Sequence, residues 1–380
     1  MNVAYVTPYA SGDVHAWSGS VFHVREALAH AGCEILPVDS LAEKGRYLGK
    51  AKEILFKKLT GRTYLRDRSP VVLDGYAAQV AARCAPLKPD VIFSPGSIPI
   101  AHLESDIPVV FWTDATFAGI TDYYAHFTNL SPRTLREGRA MEQRALTNCS
   151  LAVYTSDWAA RSAIDNYDVD PAKVKVVPYG ANVASDRDED GIRRLIGDRD
   201  LGRCELLFVG VDWERKGGPI ALETARILNR NGLRTRLHIV GCEPLGEKPD
   251  FVVRHGFVSK KSSEGAALLD RLFSESHFLI VPSRAECFGL VFAEASSFGL
   301  PSLAAITGGV TSVVAQEVNG ALFPLEATGE AYADYIQRMM GEPDLYAKLA
   351  LDSFAEFRAR LNWDVAGAEV ARLMKTVATP

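Results

Sequence analysis

The stretch Pro282-Ser283-Arg284-Ala285-Glu286-Cys287-Phe288-Gly289-Leu290-Val291-Phe292-Ala293-Glu294-Ala295 decides how this chain is read. It follows the apolar run Phe278-Leu279-Ile280-Val281, which reads as a buried strand. It runs into Leu290, Val291, Ala293 and Ala295, an apolar pattern that predicts a helix. A strand, a short loop and a helix N-terminus therefore meet, with Glu286 in the loop and Glu294 in the helix. A helix N-terminus offers unpaired N–H groups and a positive dipole end, both suited to phosphate. Two carboxylates beside it suit hydroxyls, and Gly289 lets a ligand approach the backbone closely. The pattern fits a partner that is both anionic and rich in hydroxyls, and a nucleotide sugar is such a partner.

Outward from this stretch the chain alternates apolar runs with helical patterns. In the second half the strand candidates are 206–209, 237–240, 252–253, 278–281 and 302–305. In the first half they are 3–7, 35–38, 91–93, 109–112, 151–154 and 174–177. Ser20 is a candidate cap for the first helix, which Gly32 ends. Strand-helix-strand alternation predicts parallel α/β sheets. At 380 residues the chain is comfortable as two domains. Residues 184–200 are polar and charge-rich and read as the linker. Helical stretches finish the chain, the last at about 363–377.

The totals exclude several classes. The formal charge is −5, so the chain as a whole carries no nucleic-acid signature. Six cysteines are scattered without a C-x-x-C pair, which argues against zinc or disulfides and for a reducing cytosol. The N-terminus opens into a strand without a signal-like leader, and no run of apolar residues is long enough to span a bilayer. The first loop reads Trp17-Ser18-Gly19-Ser20 where a dinucleotide fold would carry G-x-G-x-x-G, so a nicotinamide cofactor is unsupported. Residues 43–68 hold nine Lys/Arg interleaved with Leu48, Ile54, Leu55 and Leu59. The reading favoured is a solvated helix face; the alternative is a patch for a membrane surface or an anionic acceptor.

In open α/β sheets ligands sit at the carboxyl ends of strands, and several polar stretches fall at such ends. The stretch 210–218 carries Arg215 and Lys216 among glycines, where they would clamp a diphosphate; the alternative is an ordinary basic turn. Thr307-Gly308-Gly309-Val310-Thr311 reads equally as an anion-binding loop or a turn. Asp114, beside Thr113 and Thr116, reads as a catalytic or sugar-binding carboxylate, or as a helix cap. His15 and His23 read as binding groups or as surface histidines. Phe288 reads equally as core.

The segment 282–295 resembles the E-x7-E signature of family 4 retaining glycosyltransferases, the "group 1" set with the GT-B fold. Phe208-Val209-Gly210 through Lys216-Gly217 resembles that family's strand and basic loop. Thr307-Gly308-Gly309 with Asn319-Gly320-Ala321-Leu322-Phe323 resembles its Gly-Gly loop and following turn, and Val176-Val177-Pro178-Tyr179-Gly180 the end of its first domain. The resemblance covers most of residues 174–325 and is looser before that, through Gly19 and its helix. It implies two Rossmann-like parallel-sheet domains facing across a cleft. Residues 1–183 would be the acceptor side, 184–200 the linker, 201–357 the donor domain, and 358–380 a helix crossing back to the first domain.

The resemblance also implies roles. Glu286 would bind donor-sugar hydroxyls, Glu294 the ribose hydroxyls and Lys216 the diphosphate. Backbone N–H groups of Phe288, Gly289, Leu290 and Val291 would face sugar and phosphate. Gly19 and Ser20 would bring the first loop to the diphosphate. The position after Gly210, usually Arg in the family, is Val211 here, which hands that charge to Arg215. A family His after the strand at 109–112 is replaced by Thr113-Asp114, which hands its role to Asp114. The implied activity is transfer of a hexose-type sugar from a nucleoside-diphosphate sugar to an unidentified acceptor, with no metal or other cofactor. The alternatives are a GT-B nucleotide-sugar epimerase, a phosphorylase, or a binding protein without chemistry.

Overall fold

The computed structural model describes residues 1–14, 16–243 and 249–378; His15 lies outside them. The chain divides into two compact units. One comprises residues 1–178 together with the chain from Trp363 onward, and the other comprises Tyr179–Asn362.

The first unit is built on β1 (Asn2–Val6), α1 (Ser20–His30), β2 (Glu34–Val38), α2 (Arg46–Thr60), α3 (Pro70–Leu87), β3 (Val91–Ser94), β4 (Val109–Thr113), α4 (Phe117–Ile120), α5 (Pro132–Asn148), β5 (Leu151–Tyr154), α6 (Asp157–Asn166) and β6 (Val174–Val176). Its six strands are parallel in the order β2-β1-β3-β4-β5-β6. Every residue of β3, β4 and β5 is buried, as a parallel sheet covered on both faces requires. Side-chain caps start α5 and α6, where Ser131 and Ser156 accept from Thr134 and Ala159 N–H.

The second unit continues with α7 (Glu189–Gly197), β7 (Cys204–Val209), α8 (Gly218–Arg230), β8 (Thr235–Val240), β9 (Val252–Gly256), α9 (Ser263–Glu275), β10 (Phe278–Val281), α10 (Leu290–Ser296), β11 (Ser302–Ala305), β12 (Gly320–Phe323), α11 (Gly329–Gly341) and α12 (Pro343–Arg360). Its strand order is β12-β11-β10-β7-β8-β9, again all parallel. The order runs outward both ways from β7 and β10, so the loops after these strands flank a topological switch point, where such sheets bind ligands. In the first sheet the same reversal falls between β1 and β3. The last helix, α13 (Trp363–Lys375), belongs to the first unit. It packs so closely on α1 that a Cβ on Gly367 would lie 2.4 Å from the Ala27 carbonyl oxygen.

Four expectations are corrected. Residues 184–200 are not a linker. Asp188 caps α7 by accepting from Gly191 N–H at 2.8 Å, and Ile192 and Ile196 sit in the core of the second unit. The units divide at Pro178/Tyr179 and Asn362/Trp363 rather than at 183, 201 and 357, because α7 and all of α12 pack with the second sheet. The Gly320-Ala321-Leu322-Phe323 "turn" is the edge strand β12, paired in register with Ser302–Ala305. Ser20 is the first residue of α1 rather than its cap; Gly19 takes the cap position with φ 92°.

Candidate active site

The stretch 282–295 leaves β10 at the switch point of the second sheet, and the loop 210–217 leaves the neighbouring β7. A glycine lets the loops meet, and a second shapes the start of α10. Gly217 has φ 76°, and a Cβ there would lie 2.1 Å from the Pro282 carbonyl oxygen. Gly289, at φ 90°, caps α10 where a Cβ would lie 2.6 Å from the Phe292 ring. Trp213 is buried against Phe208, with ring centroids 5.2 Å apart, and anchors the basic loop on the core.

This approach brings three predicted residues together. Lys216 Nζ donates to Glu286 Oε2 in a close ion pair, with both side chains largely buried. Arg215 Nη1 donates to the Ala285 carbonyl at 3.0 Å and lies 3.7 Å from the same carboxylate oxygen. Ser283 Oγ donates to it at 3.4 Å. The Thr307–Gly309 loop joins from β11: Gly309 N–H donates to the Glu286 carbonyl at 3.1 Å, and Thr307 Oγ1 to the Arg284 carbonyl at 3.2 Å. Glu286 is therefore fixed by three strand-end loops, with two cations beside it. A cation pair held on a carboxylate can exchange that partner for a phosphate, since both accept charge-assisted hydrogen bonds.

Glu294 is buried in α10, where Lys260 Nζ lies 2.5 Å from its Oε1. Lys260 was missed in the sequence. Its signal was the pair Lys260-Lys261 in the loop after β9, another strand end of the same sheet. Because α10 has only seven residues, its dipole is small, and cationic side chains rather than a helix end carry the positive charge here. Phe288 is buried and packs edge-on to Tyr179 at 5.8 Å, so it is core. Val291 is buried, Leu290 half-buried, and Val211, which follows Gly210, is exposed.

Asp114, Gly19 and Ser20 lie on the first unit. Asp114 follows the end of β4, and the cap of α4 is Thr116, whose Oγ1 accepts from Gly119 N–H at 3.0 Å; Asp114 as cap is thus corrected. His23 is half-buried and stacks on Trp363 at 5.8 Å with the rings nearly parallel. At this sheet's switch point the loops after β1 and β3 border a cavity of about 1400 Å³. Trp17 and Ser18 both have positive φ there, a costly backbone for such residues. Trp17 is held by donating from Nε1 to Tyr9 Oη at 3.1 Å and by Gly96, where a Cβ would lie 2.6 Å from its ring. Arg46, Lys57 and Arg66 also line this cavity. This cavity does not include Glu286; charge, rather than volume, marks that site.

Among the described residues no group of His, Cys, Asp or Glu is arranged to hold a metal ion, and no helix is long and apolar enough to cross a membrane.

Two sheets of this order, each with polar loops at its switch point, define the GT-B class, and solved structures agree. Sucrose-phosphate synthase from Thermosynechococcus elongatus superposes with TM-score 0.67 at 18% identity, covering 99% of each chain. Anabaena HepE in complex with UDP superposes with TM-score 0.65 at 17% identity, covering 99% of this chain and 100% of that one. Family models match most of the sequence: "Glycosyltransferase Family 4" over residues 19–185 and "Glycosyl transferases group 1" over residues 203–342. The chain belongs to the group 1, family 4 glycosyltransferases. Among curated relatives, the D-inositol 3-phosphate glycosyltransferase of Acidothermus cellulolyticus is 32% identical over 227 residues, 55% of this chain and 50% of that protein. The protein of the same name from Frankia alni is 31% identical over 233 residues, 57% and 56% respectively. The match thus spans about half the length of these relatives.

Proposed function

We propose that the chain is a retaining glycosyltransferase, moving a hexose-type sugar from a nucleoside-diphosphate sugar to a hydroxyl acceptor without a metal. The observation that carries this is the convergence of Lys216 and Arg215 on Glu286 at the switch point of the second sheet. In the reaction the bond from the anomeric carbon to the diphosphate breaks, and a bond to the acceptor oxygen forms on the same face. The acceptor hydroxyl passes its proton to the departing diphosphate oxygen, where charge builds on that same face. Lys216 and Arg215 meet that charge in a site that already excludes much of the water, so the contacts strengthen as the bond breaks. As the diphosphate draws Lys216 away, Glu286 is freed to accept from sugar hydroxyls. Glu294 accepts from the ribose hydroxyls, exchanging Lys260 for them. Asp114, on the first unit, takes the role of the family's His, as the resemblance implies.

The relatives' names point to a phosphorylated polyol as acceptor, and HepE was solved with UDP-glucose. The cavity of the first unit has groups such an acceptor would meet: Arg46, Lys57 and Arg66 for phosphate, Trp17 and Tyr9 for the ring. The basic stretch 43–68 would suit an acceptor carried at a membrane surface.

The test is incubation with UDP-, GDP- and ADP-sugars and candidate acceptors, with products identified by mass spectrometry and anomeric configuration by NMR, before and after chelation. A glycosylated acceptor of retained configuration, formed equally with chelator, is expected. A free epimerised donor would point to an epimerase instead, sugar phosphate to a phosphorylase, and nucleotide binding without product to a binding protein.

A further inference from the structure

The helix α2 has no buried residue. It touches the first unit along one narrow line. Glu53 accepts from Arg66 Nη1 at 2.7 Å, Phe56 stacks on Tyr64 at 5.1 Å, and Gly49 lies so near Arg66 that a Cβ would be 2.9 Å from Cδ. Arg66 also donates to Glu43, at 2.6 Å from Nε, so one arginine ties the helix to the chain before it.

The rest of α2 faces outward. Tyr47 is 88% exposed, Leu48 74%, Ile54 58%, Leu55 54% and Leu59 74%. At 100° per residue these five share an arc of about 140°, opposite the contact line. Arg46, Lys50 and Lys57 run along one edge of the arc, Lys52 lies on the other, and Lys58 stands within it. The helix has one acid, Glu53, and Arg66 engages it.

An exposed apolar stripe of this size calls for a cover. A protein partner is a poor one, because the cores of protein interfaces are depleted of lysine. A bilayer surface accommodates the whole pattern: the apolar side chains enter the boundary between headgroups and acyl chains, while lysine stems lie along it with their charges at the phosphates. The chain as a whole is negatively charged, so this attraction belongs to α2 and its flanks.

We infer that the outer face of α2 docks on an anionic bilayer and that the acceptor is a lipid whose headgroup carries phosphate and hydroxyls. The second clause rests on the acceptor role proposed for the first unit. Arg46 and Lys57 of this helix also line the 1400 Å³ cavity, so a headgroup at the docked surface lies beside it.

The test uses the full chain and vesicles of phosphatidylcholine, alone or with about a third of the lipid replaced by phosphatidylglycerol. Cosedimentation is expected with the anionic vesicles only, weakening with salt. Each lysine near the surface contributes about fivefold, so K50A, K52A and K58A together lower partitioning about 100-fold. L55D with L59D lowers it at least about tenfold. All these side chains are exposed and none lines the cavity, so unfolding midpoints and nucleotide-induced thermal shifts stay unchanged. No binding to anionic vesicles would overturn the docking, as would undiminished binding by both variants, or a solution dimer that L55D dissociates. Vesicle binding needs no donor, so docking and sugar transfer fail separately. A soluble phosphorylated polyol glycosylated as fast as any lipid-borne one would overturn the lipid acceptor alone.

Discussion

Replacing Lys216 by alanine tests the heart of the proposal. The Lys216 and Glu286 side chains are only 12% and 10% exposed, so the pair is largely out of water. Removing one partner of a buried pair costs roughly 3–5 kcal/mol when nothing takes its place. Here Arg215 Nη1 waits 3.7 Å from the carboxylate and Ser283 Oγ 3.4 Å, so about 1–2 kcal/mol is expected. Turnover should suffer more. A fixed donor facing charge that develops in the transition state is worth about 100- to 1000-fold, and the surviving arginine sets the loss near the lower end. The assay is initial rate against donor concentration, with the unfolding midpoint measured in parallel. The donor is first chosen by thermal shift, since a ligand at ~100 times its Kd stabilises by about 2.7 kcal/mol. Adding E286Q to K216A separates the two effects. If Lys216 serves the leaving group, the double variant recovers stability and stays slow. A kcat within about threefold of wild type for K216A, or recovered turnover in the double variant, would refute the reasoning.

Further predictions concern the other carboxylates. E294A should abolish the nucleotide-induced thermal shift at little cost in stability, below about 1 kcal/mol, because the half-exposed Lys260 can turn to water; a full shift in the variant would count against a ribose contact. D114N should slow turnover roughly 10- to 100-fold yet leave the nucleotide shift intact, because it lies on the first unit; loss of the shift would contradict that. In α5, Glu142 is buried between Ser97 Oγ and Phe117 N–H, and burial pushes its pKa up to about 7. The folded chain holds that proton more tightly than the unfolded one. Stability from this group is therefore full in acid and is lost as pH rises from about 4.5 towards 7. E142Q should match wild type near pH 5 and exceed it at pH 8 by up to about 3 kcal/mol. Parallel melting profiles for the two proteins would sink this.

The apolar runs made most of the fold legible, since strands buried on both faces have no polar positions to blur them. Phe278–Val281 and Ser302–Ala305 lie where their sequences place them. Strand ends were harder. β7 begins at Cys204-Glu205, and Glu205 is tolerated because Arg236 and His238 of the neighbouring strand pair with it, which no single-segment pattern reveals. α7 was hidden because Ile192 and Ile196 are few among many charges, though their spacing of four is helical. In the site, Glu286 and Lys216 stood out by residue type and by family resemblance. Their contact spans 70 positions and depends on β7 lying beside β10, a matter of strand order. Lys260 reaches Glu294 from yet another strand end, and nothing local to either residue links them.

The meeting of Gly217 with the Pro282 carbonyl has a consequence for altering this protein. The two loops touch through backbone, so any side chain at 217 would pry apart the wall that sets the spacing of Lys216 and Glu286. Reshaping donor preference there would cost the site its frame. The freedom lies at Val211, whose side chain points into solvent one residue beyond the strand-end glycine, and at Lys260, whose long arm is anchored only at its tip. A library confined to those two positions would vary what the site accepts while leaving intact the join that frames it.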